Sequence, residues 1–251
     1  MLLTGCEEAG AGGGNDDAET QTLDTTSMVL HLAFDGNLDD ETGTATNVDP
    51  RTNTGSASAG YAADRNGVAD EAVSLTSNYL KVDGISLSGV DKLTVMAWVY
   101  DGMTSNLDRW VAAYVSGFNT ASEANVGAFR ISTKGASQPG ALEARLNDGA
   151  VSLESAGTVT RNSWTHLAMV LDIAAGELRI YEDGAQTGTE SVPTGLSLSD
   201  GTLVIGGRPV YDGSGNGAAP QFVGRIDDLA IFTRALSDEE IELAKDQLTT
   251  N

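Results

Sequence analysis

Residues 222–241, F-V-G-R-I-D-D-L-A-I-F-T-R-A-L-S-D-E-E-I, carry more structural information than any other part of this chain. The first eleven residues read as a buried strand that contains two adjacent acids, Asp227 and Asp228. A carboxylate within an apolar strand is costly unless a cation or hydrogen-bond donors meet it. Ser237, with Glu240 three residues later, is a capping-box pattern. We therefore expect a strand beside a cation, then a turn and a short capped helix.

Further strands are predicted along most of the chain from residue 28 onward. Short apolar or alternating runs recur there, separated by clusters of Gly, Asn, Asp and Ser, and helical periodicity is scarce. This pattern indicates an all-β fold with two antiparallel sheets. Asp183-Gly184 predicts a hairpin turn, and residues 37–66 and 206–220 are predicted as loops. The predicted strands are residues 29–34, 72–75, 79–82, 93–100, 110–115, 128–132, 142–146, 151–155, 165–172, 177–181, 202–205 and 222–232.

The charge balance narrows the classes of partner. The chain has 36 acidic against 14 basic residues, a formal net charge of −22. Nucleic acid is not expected as a partner, because binding it requires Lys and Arg to neutralise phosphates. An acidic surface keeps a protein soluble and suits cations, and adaptation to a salty medium explains it equally well. No apolar run approaches the roughly 18 residues typical of a membrane-spanning helix.

The N-terminal residues form a separate segment. Residues 2–6, L-L-T-G-C, resemble the lipobox of bacterial lipoproteins, a family in which the cysteine, here Cys6, is acylated. The segments expected upstream are missing, so either the start is truncated or the match is accidental. Residues 7–24 hold no basic and no aromatic residue, a composition typical of a flexible tether. Residues 1–27 are therefore predicted to be a lipobox remnant and a disordered acidic tether. The protein is expected in the bacterial cell envelope, on the outer membrane or cell surface, with membrane contact only through Cys6.

Six segments in order resemble bacterial laminin-G-like domains of the concanavalin A-like lectin and glucanase type. The resemblance extends from residue 28 to about residue 248. It implies a jelly-roll sandwich over residues 28–251 with a short C-terminal helix and with the first and last strands adjacent in one sheet. The segments are L-A-F-D-G-N-L-D-D at 32–40, L-T-V-M-A-W-V at 93–99, W-T-H-L-A-M-V at 164–170, L-R-I-Y-E-D-G at 178–184, I-G-G at 205–207 and I-D-D-L-A-I-F at 226–232.

The same resemblance implies a structural calcium ion where the first and last strands meet. Many members bind Ca²⁺ there, and the matching positions of this chain are Asp35, Asn37 and Asp227. Calcium takes six to eight oxygen ligands, and strand alternation would direct only one of Asp227 and Asp228 at it. The alternative is that Asp35 and Asn37 only form a turn while Asp227 faces solvent.

Catalysis is not expected, although several glycoside hydrolases and polysaccharide lyases share this fold. Hydrolases resembling it carry E-x-D-x-x-E or E-x-D-x-E along one strand, and neither string occurs here. A structural role is expected for His166. Trp98 and Trp164 lie in strand patterns that indicate core packing, whereas Trp110, with Arg109 beside it, and Tyr211 are expected to be exposed and to contact a ligand.

We therefore predict a non-catalytic binding module of the cell envelope whose ligand is a carbohydrate or another surface protein. Two alternatives stay open. One is a divergent glycan-cleaving enzyme, a hydrolase or lyase, and the other is a protein–protein adhesion module.

Overall fold

The fold is a sandwich of two antiparallel sheets. The computed structural model describes residues 21–52, 55–76, 78–102, 108–116, 125–135, 140–156, 159–198, 200–207 and 222–248. The predicted fold class is confirmed. The strands are β1 Met28–Leu32, β2 Asn47–Thr52, β3 Gly55–Ser56, β4 Gly60–Ala62, β5 Ala72–Leu75, β6 Tyr79–Asp83, β7 Lys92–Asp101, β8 Arg109–Ser116, β9 Asn125–Thr133, β10 Leu142–Leu146, β11 Val151–Glu154, β12 Trp164–Asp172, β13 Glu177–Glu182, β14 Ala185–Ser191, β15 Thr202–Ile205 and β16 Gly224–Phe232.

The strand order places the first and last strands side by side. Sheet A runs β14-β13-β12-β7-β16-β5-β4, and β1 also pairs with β16; sheet B runs β11-β10-β9-β8-β15-β6-β2-β3. One edge of β16 pairs with β7, while the other pairs first with β5 and then with β1. His31 of β1 lies opposite Ala230 of β16. The predicted contact between the first and last strands is therefore confirmed.

The main core fills the space between the two sheets. Successive side chains of a strand point to opposite faces, so β7 supplies one inward and one outward set. The inward residues of β7 are Leu93, Val95, Ala97 and Val99. The outward set, which includes Met96 and Trp98, forms part of the outer face of sheet A.

A helix covers one end of this outer face. Helix α1, Asp238–Gln247, has the predicted capping box: the Ser237 side chain accepts from the Glu240 backbone N–H, and the Glu240 carboxylate accepts from that of Ser237. Its apolar side packs on the outer face of sheet A. In the described part of the chain, no helix is long and apolar enough to cross a membrane. The second core under α1 comprises Met96, Ala168, Val170, Tyr181, Ala230, Phe232, Leu236, Ile241, Ala244 and Leu248.

Part of the segment predicted as tether contacts the folded unit. The backbone N–H of Leu23 donates to Gln247 Oε1 over 2.9 Å, and the Gln247 amide donates to the Gln21 carbonyl over 2.8 Å. Arg234 Nη2 donates to the carbonyl of Asp24. Residues 21–27 thus lie against α1 and the end of β16.

The secondary structure predicted from sequence is wrong for several polar strands at or near the sheet edges. Residues 37–66, predicted as a loop, contain β2, β3 and β4, and β14 was not predicted. These strands lie at or near sheet edges and are largely polar. An edge strand needs no continuous apolar face, so its sequence lacks the alternation that identifies a strand. The Asp183-Gly184 turn joining β13 to β14 is confirmed, since both residues have positive φ.

The capping box gives a stability prediction. Ser237→Ala removes the acceptor for the Glu240 backbone N–H and should lower the free energy of unfolding by about 1 kcal/mol. Urea denaturation measures the change. The control Glu239→Gln lies in the same first turn and should lower it by only a few tenths of a kcal/mol. Equal effects of the two substitutions would contradict the role of the cap.

Candidate binding site

A bulge in β16 sets the geometry of the site. Asp227 pairs with Trp98 of β7, but the next pair joins Ala230 to Met96, so β16 has one extra residue between them. Asp228 lies in this bulge and has a left-handed backbone conformation, with a φ of 45°. The prediction that Asp227 and Asp228 point to opposite faces is therefore wrong, because the bulge interrupts the alternation.

Arg65 receives both carboxylates. It lies in the connection between β4 and β5, and its Nη1 is 2.9 Å from Asp227 Oδ2 and 2.7 Å from Asp228 Oδ2. On the other side of the acid pair, His31 Nε2 is 3.3 Å from Asp228 Oδ1. This cluster lies where the neighbour of β16 changes from β5 to β1. The cation that the apolar strand required is thus a guanidinium, which sequence reasoning missed.

The acid pair is electrostatically strained. Burial and then the neighbouring Asp228 carboxylate raise the pKa of Asp227, Arg65 opposes both effects, and the resulting pKa is about 8. A carboxyl group whose pKa is higher in the folded state holds its proton more firmly there, so its contribution to stability decreases as the pH rises through that pKa. The cluster is therefore more stable at acidic than at alkaline pH.

The residues predicted to bind calcium make other contacts in the structure. Asp35 is exposed, and Asn37 closes a turn: its amide donates to the Asp35 carbonyl, and its side-chain oxygen accepts from the Asp39 backbone N–H. Asp227 is instead paired with Arg65. Among the described residues, no group of three or more His, Cys, Asp or Glu side chains is placed to hold a metal. Calcium binding by Asp35, Asn37 and Asp227 stays a prediction.

Trp98 is fixed on the outer face of sheet A by three contacts. The Arg65 guanidinium lies 4.8 Å from the centre of its ring. The ring meets His166, its cross-strand neighbour, edge to face at 5.5 Å between centroids. Its indole N–H donates to the Lys245 carbonyl of α1 over 3.2 Å. Trp98 is partly exposed, so its assignment to the core was wrong.

A second aromatic pair continues this face. Trp164 of β12 lies opposite Tyr100 of β7, and the two rings meet edge to face at 5.7 Å. Arg225 lies 4.8 Å from the centre of the Tyr100 ring. Trp164 is also partly exposed, which contradicts its assignment to the core. Beside α1 the surface forms a depression of about 430 Å³, here called the sheet A depression, lined by Arg65, Asn66, Trp98, Trp164, Lys245 and Asp246.

Below this surface, His166 is buried and neutral. Burial lowers its pKa to about 3. Its Nδ1 has no hydrogen-bond partner among the residues that the structure describes. A buried imidazole with so low a pKa accepts a proton poorly. Its contact with the Trp98 ring supports the aromatic face and fits the structural role expected for it.

The ligand residues predicted from sequence lie on the other sheet. Trp110 and Arg109 of β8 are only 6% and 4% exposed, so the expected exposure is wrong. Trp110 packs in a small apolar cluster with Tyr79 and Val204, and Arg130 lies 5.2 Å from its ring centre. Ligand binding by Trp110 and Arg109 stays a prediction, and Tyr211 and Cys6 fall outside the described residues.

The most deeply buried acid of sheet B is also held by cations. Glu143 of β10 is fully buried and pairs with Arg130, with Lys134 at 3.4 Å and with Arg145 at 3.0 Å. Glycoside hydrolysis needs two carboxylates on either side of a bound sugar, one of them protonated. Glu143 and the Asp227–Asp228 pair are instead engaged within the protein.

The sequence contained a signal for the outer face that the first interpretation did not use. In residues 93–100, L-T-V-M-A-W-V-Y, Trp98 and Tyr100 are separated from Thr94 by an even number of positions and therefore point to the same face as Thr94. Leu93 and Val95 point to the opposite face. Because both sets are apolar, hydrophobicity alone does not separate them. Only the polar Thr94 marks the outward set.

Comparison with known proteins identifies similar families and structures. The family model Laminin_G_3, described as the concanavalin A-like lectin/glucanases superfamily, matches residues 74–242. The botulinum neurotoxin serotype C1 binding domain superposes with a TM-score of 0.63 at 16% identity, over 88% of this chain and 52% of that chain. Domain 4 of AbnA, a GH43 extracellular arabinanase from Geobacillus stearothermophilus, in complex with arabinotriose, gives 0.64 at 18% identity, over 88% and 98%.

These likenesses establish the fold. This chain spans about half the length of the neurotoxin domain. At such low identity the solved structures carry no information about its ligand. No curated protein sequence matches the chain.

The acid pair gives a stability prediction. Arg65→Ala leaves the buried acid pair without its cation and should lower the free energy of unfolding by about 3–5 kcal/mol near pH 9, where Asp227, with a pKa of about 8, is ionised. The loss should be smaller near pH 6, where Asp227 holds its proton and needs no counter-ion. Urea denaturation at both pH values measures it.

Arg51→Ala is the matched control for that substitution. It removes an ion pair with Asp49 that is 38% and 26% exposed, and pairs of this kind contribute about 1 kcal/mol or less. A loss for Arg65→Ala that is as small as the loss for Arg51→Ala, or independent of pH, would contradict the role of Arg65.

Proposed function

The chain belongs to the concanavalin A-like lectin/glucanase superfamily, and we propose that it is a non-catalytic module that binds a glycan in the sheet A depression. One observation carries this proposal. Trp98 and Trp164 lie on neighbouring strands of an open sheet face, and polar side chains surround them.

Sugar recognition suits this chemistry. Binding sites combine apolar and aromatic walls with a few polar groups that fix the ligand. Trp98 and Trp164 supply the aromatic surface, and Asn66, Lys245 and Asp246 supply polar groups at the rim. The contacts that hold Trp98 and Arg65 in place reduce the entropy lost on binding.

A protein partner is less well supported than a glycan. Docking surfaces for proteins usually present a contiguous apolar patch. In the part of the chain that the structure describes, Val68 is the exposed large hydrophobic residue, at 46%. An isolated Val68 does not form such a patch.

The solved structures support the proposal only at the level of protein class. Domain 4 of the arabinanase AbnA is in complex with arabinotriose, and the binding domain of botulinum neurotoxin DC is in complex with SialylT. The same neurotoxin domain is also found in complex with rat synaptotagmin II, a protein partner. The arabinanase domain also belongs to an enzyme, so linkage of such a module to a catalytic domain is consistent with the fold.

Two predictions from sequence are kept as proposals. A lipid on Cys6 would hold the module at the bacterial cell envelope, and a calcium ion held by Asp35, Asn37 and Asp227 would stabilise the fold. Both derive from resemblance to known families.

Removing the partly exposed indole of Trp164 tests the glycan site. Trp164→Ala should weaken binding to the best ligand of a glycan array by about 2 kcal/mol or more, as expected for a central aromatic contact. Isothermal titration calorimetry measures the change, and urea denaturation checks that the variant folds.

Trp110→Phe is the control on the opposite sheet and should leave affinity unchanged. Loss of binding in Trp110→Phe but not in Trp164→Ala would place the site on sheet B instead. Wild-type protein that binds no glycan would contradict the proposed function.

Calcium has its own test. An ion that binds only the folded state stabilises it, by about 2.7 kcal/mol at a concentration one hundred times its dissociation constant. The proposal therefore expects a higher melting temperature in CaCl₂ than in EGTA, and Asp35→Asn should abolish the difference. Equal melting temperatures would refute the ion and leave Arg65 as the cation serving Asp227.

A further inference from the structure

The cations that line the sheet A depression are already matched by acids. Arg65 Nη1 contacts Asp227 and Asp228. Lys245 Nζ lies 2.6 Å from Glu242 Oε1 and 3.9 Å from Asp246 Oδ1. Each of these cations thus faces two carboxylates, so the depression offers no excess of positive charge through them.

The guanidinium of Arg65 is committed to the protein. Its side chain is only 10% exposed, Nη1 contacts the two acids, and Nη2 is buried without a hydrogen-bond partner among the described residues. Arg65 therefore adds no free cation with which a charged sugar could pair.

An anionic ligand would meet opposing charge. A sugar carboxylate or sulfate is recognised by Arg or Lys whose charge is available to it, whereas here it would lie close to Asp228 and Asp246. The chain as a whole carries a formal net charge of −22. Like charges brought together at an interface reduce affinity strongly.

We propose that the sheet A depression selects uncharged sugars, which pack on Trp164 and meet no unpaired cation among the lining residues. This inference rests on the proposed function, because it names the ligand class of the same site.

Affinity electrophoresis of the full chain with soluble polysaccharides tests the selectivity. The neutral set is arabinan, galactan, xylan, mixed-linkage glucan and highly methyl-esterified homogalacturonan. The acidic set is alginate, hyaluronan and de-esterified homogalacturonan, which has the same rings as its ester but carries charge. We expect retardation by at least one neutral polysaccharide, unchanged between low and high NaCl because no ion pair contributes.

Two substitutions complete the test. Trp164→Ala should abolish the retardation by the neutral polysaccharide. Asp246→Asn removes a negative charge from the rim and should raise affinity for acidic polysaccharides at least threefold. Glu239→Gln makes the same change of charge in the first turn of α1 and should have neither effect.

The failures of the two proposals are distinguishable. Retardation by an acidic polysaccharide that Trp164→Ala abolishes would overturn the selectivity and leave glycan binding in place. Neutral binding that does not respond to Trp164→Ala would overturn this site. If no polysaccharide retards the protein and no glycan on the array binds it, the proposed function and this inference are both overturned.

Discussion

The ion pairs between Arg65 and the two acids of β16 connect the architecture of this protein to its surface. Along its length, the last strand β16 pairs first with β5 and then with β1. A bulge at the point of change directs the carboxylates of Asp227 and Asp228 to one side. Two desolvated negative charges there would be very unfavourable alone. Because Arg65 comes from the connection between β4 and β5, its ion pairs also fix that connection against the outer face of sheet A.

The same guanidinium organises the aromatic face. Arg65 stacks on Trp98, which rests on His166 and bonds to the end of α1. The helix covers only one end of the outer face, so the aromatic residues beyond it stay partly exposed. The depression therefore arises at the border between the apolar surface that α1 buries and the polar cluster that Arg65 neutralises. In the proposed glycan site, structural and recognition roles would share residues, so the surface offered to a ligand would be rigid.

Strand periodicity and turn chemistry were sufficient to predict much of the fold. The β13–β14 turn and the capped helix follow from local rules, since their interactions lie within a few residues of one another. The polar strands β2, β3, β4 and β14 were missed because sheet edges do not impose an apolar alternation. Trp98 and Trp164 were assigned to the wrong face, because strand residues are apolar on both sides where a helix packs outside.

The sequence by itself indicated that two acids in the last strand require a cation, and its resemblance to laminin-G-like domains implied that this strand lies beside the first. Only the tertiary structure decided which cation that is. Arg65 is 162 residues from Asp227 in the chain, and no local pattern links them. The bulge that aligns both carboxylates is likewise a property of how β16 pairs with β7. Pairing register and long-range charge contacts depend on the packed sheets, so they become visible only when the chain is folded.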